Sequence, residues 1–162
     1  MRTALIWTML VVAAAGQSKL PAPDAKFDPA RDAIADIENA LAEARRSSRR
    51  VILDVGGEWC GWCHALDHYF VEHADLREFR DQHYVWLKVN YSPENANERA
   101  LSRYGDIVAY PWLFVLDQDG TLLVSQRTGP LEQGASYDFD KMKAFLARWI
   151  RPSSKTSSTT GI

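Results

Sequence analysis

Val51-Ile52-Leu53-Asp54-Val55 is an apolar, β-branched run broken by a single carboxylate, which predicts a strand buried on both faces. Gly56-Gly57 interrupts it. Beyond Trp59 the spacing becomes helical, with Leu66, Tyr69 and Phe70 on one face, and Asp75 to Arg80 extends or restarts that helix. Tyr84 to Val89 is a second buried strand, and Trp112 to Leu116 a third. Asp117-Gln118-Asp119-Gly120 is a hairpin turn with Thr121 to Ser125 as the returning strand. Upstream, Asp28-Pro29 reads as N-cap and first helical position, followed by the stripe Ile34, Ile37, Leu41 and Ala44. Arg45, Arg46, Arg49 and Arg50 read as the solvated end of that helix, complementing its dipole. Ser92-Pro93 reads as the cap of a third helix, with Ala96, Ala100, Leu101 and Tyr104 inward. Arg127 to Ser136 reads as an irregular loop. Asp138 opens a last helix carrying Phe139, Met142, Phe145, Leu146 and Trp149, and Pro152 ends it.

Helix, β-α-β, helix, hairpin, helix is the order of an α/β fold. It predicts a central mixed sheet, a parallel βαβ unit joined to an antiparallel hairpin, with helices on both faces. At 162 residues, with no internal repeat, this is one domain plus extensions. Residues 1–15 read as a secretory signal peptide: Arg2, an apolar stretch from Ala4 to Val12 too short to span a membrane, then Ala13-Ala14-Ala15 as cleavage site. Residues 16–27 read as a Pro-containing linker, 28–151 as the domain, and 152–162 as a disordered Ser/Thr tail. This implies export, to the periplasm first and secretion second, with no stable membrane anchor after cleavage. Nineteen basic residues against 21 acidic ones give a formal net charge of −2, which predicts no nucleic-acid footprint.

The chain has two cysteines, Cys60 and Cys63, and they sit at the predicted start of the central helix. Unpaired N–H groups and the positive end of the helix dipole favour thiolate there. Two intervening residues let the sulfurs form a small disulfide ring. Cysteines this close are a poor structural staple because they close almost no loop, so the pair reads as reactive. Asp54, inside an apolar strand, is costly unless it has a partner or a task. His64 and His68 lie one helical turn apart, but two histidines on one helix are ordinary surface; no metal site is assigned, and His64 reads as a modulator of thiolate stability. Asp117 and Asp119 superficially resemble a calcium loop, yet Thr128 stands where the closing Glu is needed.

Trp59-Cys60-Gly61-Trp62-Cys63, Asp54 six positions earlier, Lys88-Val89-Asn90 on a later strand, and Tyr110-Pro111 before an apolar strand together resemble the thioredoxin superfamily. The resemblance runs from about Ile37 to Ile150 and is closest to exported bacterial thioredoxin-like proteins with a Cys-Gly-Trp-Cys pair. The chain departs from thioredoxin at Trp62, where thioredoxins carry Pro, and at His64, where they usually carry Lys. The resemblance implies a thioredoxin-like fold and a thiol–disulfide oxidoreductase. It makes Cys60 the exposed nucleophile and Cys63 the resolving thiol. It makes Asp54 a buried proton acceptor for Cys63 and Lys88 its ion-pair partner. It also implies a cis Tyr110–Pro111 bond facing the cysteines, with the Tyr110 backbone pairing to a substrate strand. Trp59 and Trp62 would flank the sulfurs, with Gly61 between them, as an apolar docking surface. No organic cofactor is implied beyond the redox-active disulfide. The partners would be protein thiols and disulfides, with a membrane thiol-electron carrier to reset the cysteines.

Two other classes fit parts of the pattern. Cys60-Gly-Trp-Cys63-His64 is also the c-type haem attachment pattern, with Met142 as the available axial ligand, but a strand feeds the motif and a mixed sheet follows. A non-catalytic binder or metallochaperone would keep the fold without turnover. Asp54 favours a reductant or isomerase-type protein over a strong oxidant, because a buried negative charge penalises a thiolate beside it.

Overall fold

The structure is a computed structural model and describes residues 19–152; the signal peptide read at 1–15 and the tail beyond residue 152 lie outside the described residues. A four-stranded sheet in the order β2-β1-β3-β4 forms the centre. β1 (Arg50–Gly56) pairs in parallel with β2 (Tyr84–Asn90), placing Asp54 opposite Lys88, and antiparallel with β3 (Trp112–Leu116), placing Asp54 opposite Leu113. β4 (Leu122–Arg127) completes the hairpin after the Asp117–Gly120 turn.

Helices cover both faces, which is why β1 shows no polar alternation. On one face Val51, Leu53 and Val55 pack with Val85, Leu87 and Phe114 under α1 (Ala33–Ser47). On the other, Ile52, Trp86, Leu113 and Val115 lie under α2 (Gly61–Glu72), α3 (Ala74–His83) and α5 (Phe139–Arg148). The innermost residues of α1 are Ile37, Ala40 and Ala44, while Ile34 and Leu41 stay at the margin. Small side chains let the helix approach the sheet closely, so the true stripe is rotated from the one expected.

Several element starts differ from the sequence reading. α1 is capped by Asp32, whose carboxylate accepts from the amides of Ile34 and Ala35; Asp28 only closes a turn onto Ala30. The third helix shrinks to α4 (Glu98–Leu101) behind Asn97. Ser92-Pro93 enters a turn instead, because Asn90 donates to Ser92 and to the Asn95 carbonyl, while Asn95 donates to the carbonyls of Pro29 and Arg31. Within 127–136 a 3₁₀ turn (Gly129–Leu131) leads into a ribbon of β5 (Glu132–Gln133) and β6 (Ser136–Tyr137). Asp138 caps α5 as expected.

The four arginines do not act alike. Arg45 and Arg46 end α1 in solvent, Arg46 pairing with Glu43. Arg49 instead donates to the carbonyls of Asp81 and Tyr84, and Arg50, the first residue of β1, donates to those of Trp149 and Ile150 at 2.9 and 3.0 Å. Those carbonyls follow the last turn of α5 and would otherwise lack partners. Arg50→Ala should therefore lower the unfolding free energy by about 1–3 kcal/mol in urea titrations, whereas exposed Arg46→Ala should stay within about 0.5 kcal/mol.

Candidate active site

β1 ends at Gly56 and the chain turns through Gly57 and Glu58 into α2. The turn is held where the Trp59 indole N–H donates to the Tyr91 carbonyl at 2.7 Å. Cys60 is the N-cap of α2, and its sulfur accepts from the Cys63 amide at 3.1 Å, one of the backbone donors that a helix start leaves free. Cys60 and Cys63 are joined by a disulfide, with their Cα atoms 5.2 Å apart. The expected contrast in exposure is absent: Cys60 is only 4% exposed and Cys63 1%. Phe27 forms one apolar cluster with the pair, and Trp62 and Tyr110 pack against that cluster.

Asp54 shares a strand face with Gly56, on the side that α2 covers, and is 1% exposed. Its Oδ2 accepts from the Trp86 indole N–H at 3.2 Å, and its Oδ1 has no hydrogen-bond partner. Lys88 is not its ion-pair partner. The Lys88 ammonium donates to Asp67 Oδ2 at 2.5 Å, one turn of α2 beyond Cys63, and lies 4.9 Å from the Phe27 ring centroid. Asp67 reaches Lys88 from the covering helix, whereas Asp54 and Lys88 stand side by side on neighbouring strands. Burial pushes the Asp54 carboxyl up to about 7. The Lys88 charge pulls it down, Asp67 pushes it up, and the Trp86 hydrogen bond and Arg80 pull it down.

The Tyr110–Pro111 bond is cis, as the resemblance implied. The Tyr110 ring stands edge-on to Trp59 at 5.2 Å and stacks on Tyr91 at 5.1 Å, and burial pushes its phenol up. The Pro111 carbonyl accepts from the buried Thr128 hydroxyl at 3.0 Å. Trp59 is 56% exposed and borders a shallow apolar depression with Tyr91, Pro93 and Ala96. Trp62 is half-buried against the cysteine cluster, and its ring also packs edge-on to Tyr137, whose hydroxyl donates to the Trp62 carbonyl at 3.2 Å. Gly61 is exposed, with no atom within 4 Å of where a Cβ would stand. His64 is exposed, its Nε2–H donating to the Glu58 carbonyl at 2.8 Å. No metal-ligating cluster of three or more His, Cys, Asp or Glu occurs among the described residues.

A thioredoxin-like family model matches residues 32–118, more than half of the chain. The chain belongs to the thioredoxin-like family. The thiol:disulfide interchange protein DsbD of Colwellia psychrerythraea (strain 34H) is 24% identical over 105 residues, 64% of this chain. The match spans only 17% of that relative's length. A disulphide isomerase structure from Xylella fastidiosa Temecula1 superposes with a TM-score of 0.63 at 23% identity, over 80% of this chain and 96% of that one. The oxidised C-terminal domain of Neisseria meningitidis DsbD gives 0.54 at 18% identity, over 76% and 98%. These two likenesses are likenesses of fold. On that thioredoxin-like frame, a dithiol/disulfide couple at a helix N-terminus is the arrangement of a thiol–disulfide oxidoreductase.

Four contributors escaped the sequence reading: Phe27, Asp67, Trp86 and Tyr137. Asp67 carried a signal, since it follows Cys63 by four positions and so shares its helix face. Trp86 shares a strand face with Lys88 by the same counting. Phe27 carried none.

The raised Asp54 value makes stability depend on pH. The folded chain holds this proton more tightly than the unfolded one, so the group favours folding below its unfolded value of 3.8, and that contribution is lost as pH rises through about 7. Asp54→Asn should abolish this slope in urea titrations from pH 4 to pH 8, its stability relative to the parent chain rising by roughly 4 kcal/mol across the window. Parallel curves for the two proteins would show that Asp54 does not titrate there.

Proposed function

We propose that the protein is an exported thiol–disulfide oxidoreductase that reduces or isomerises disulfides of protein substrates through Cys60 and Cys63. The observation that carries this is the Cys60–Cys63 couple at the N-terminus of α2, on the face of β1 where Asp54 keeps one carboxylate oxygen free of hydrogen bonds. In the reduced protein the Cys60 thiolate attacks a substrate disulfide, forming a Cys60–substrate disulfide and expelling the other substrate sulfur as thiolate. Cys63 then gives its proton to Asp54, directly or through water, and attacks the Cys60 sulfur. The Cys60–Cys63 disulfide re-forms and the reduced substrate leaves. A carboxyl near 7 suits a proton acceptor that must take and return a proton at neutral pH.

The charge arrangement favours the reducing direction. Asp67 and Asp54 share the one Lys88 ammonium, so its charge compensates Asp54 only in part, and a thiolate above them meets net negative surroundings. A destabilised reduced form means a low potential. The signal peptide read at residues 1–15 supports the periplasm as the site of action. The partial relationship to DsbD supports a membrane thiol-electron carrier as the source of electrons.

Cys63→Ala should accumulate mixed disulfides through Cys60 on non-reducing gels, while Cys60→Ala traps few; equal trapping would reverse the two roles. The couple should equilibrate with glutathione below roughly −200 mV, and a value near −120 mV would make the protein an oxidant. In stopped-flow experiments Asp54→Asn should slow release of the mixed disulfide by about a hundredfold, with little effect on its formation.

A further inference from the structure

Phe27 is 2% exposed, although Lys26, Asp28, Pro29 and Ala30 beside it all face solvent. Its ring forms a small cluster with Cys60 and Cys63, separate from the two main cores. The space it fills exists because residue 56 has no side chain: a Cβ on Gly56 would lie 3.2 Å from Phe27 Cζ and 2.3 Å from Cys63 Sγ. The ring therefore stands at the Cys63 end of the disulfide. It is pinned there by its own amide, which donates to Glu58 Oε1 at 2.9 Å, two residues before Cys60. The other end differs. Gly61, next to Cys60, is exposed and has open space on its Cβ side.

Which sulfur of a disulfide is attacked depends on access as well as on leaving-group stability. We infer that Phe27 is a positioning residue for disulfide exchange, which shields the Cys63 sulfur so that incoming thiolates form their bond to Cys60. Attack at Cys60 makes the partner–Cys60 bond, breaks the Cys60–Cys63 bond and leaves Cys63 as thiolate, ready to resolve. Attack at Cys63 would tie the partner to the buried sulfur and leave Cys60 as thiolate, inverting the two roles. Aromatic carbon on the Cys63 side, against the exposed Gly61 beside Cys60, selects the first course. The inference rests on the exchange chemistry proposed above, but its test reads only which sulfur is reached.

The oxidised full chain is treated with glutathione, the released thiol is alkylated at once, and tandem mass spectrometry locates the glutathione. In the parent chain it should sit on Cys60. Phe27→Ala should raise the Cys63-to-Cys60 ratio by about tenfold, and Phe27→Tyr should leave it within about twofold. In a Cys60→Ser background, Phe27→Ala should also speed iodoacetamide alkylation of Cys63 about tenfold. If Phe27→Ala does not keep the parent circular dichroism, Phe27→Leu takes its place in both comparisons. An unchanged ratio with an unchanged alkylation rate in a folded variant overturns the inference. A parent chain that forms the Cys60 adduct but fails to reduce any protein disulfide overturns the proposed function alone.

Discussion

The first turn of α2 sits directly on the end of β1, and the approach is close enough that a Cβ at residue 56 would stand 2.3 Å from the Cys63 sulfur. Real carbon and sulfur atoms cannot share that distance, so the helix docks only where the strand ends in glycine. The rest of the site follows from this contact. Gly57 is constrained in its turn, since a side chain there would run into the Trp59 indole that holds the loop to Tyr91. With the loop fixed, Cys60 falls at the N-cap, and Leu66, Tyr69 and Phe70 reach the core on the same helix.

Beneath the sulfurs, Asp54 and Lys88 are buried while Asp67 reaches Lys88 from the rim, a third exposed. Asp67 and Lys88 satisfy each other, and Asp54 is left with one indole N–H and an unpartnered oxygen. A buried carboxylate in that position resists ionisation. The residue is poor as a structural element and well matched to moving a proton, and the energy it withholds from folding is present at the site of the chemistry. Within the neighbouring ion pair, Lys88 eases that ionisation and Asp67 opposes it.

The strands, the two-faced burial and the cysteine-bearing helix were legible because each has a local signature: β-branched runs, a glycine break, a change of period. The site was legible to the extent that its members fall on those elements. Asp54, Cys60, Cys63 and the cis Tyr110–Pro111 bond stand on the elements expected, although Cys60 is as buried as its partner. The errors arose where side chains from distant segments compete. Lys88 had two carboxylates within reach, and sequence order does not say which one the covering helix presents. Arg49 and Arg50 looked like neighbours of Arg46, yet they meet carbonyls contributed by α3, β2 and the end of α5. Ser92-Pro93 looked like a helix cap, but three asparagines offered the backbone a different set of partners. Phe27 lay in a stretch whose prolines and charges read as linker, and nothing local marks a single ring that crosses to another element.

The bond from Thr128 to the Pro111 carbonyl limits the polar groups that this edge presents. Proline has no N–H to offer an incoming chain, and here its carbonyl is already engaged from within the protein. Much of the surface beside the disulfide is instead aromatic: Trp59, Tyr91 and Tyr110, packed against one another. The edge-on and stacked contacts hold these rings to one another, so what this edge presents beside the disulfide is ring surface rather than main-chain polar groups.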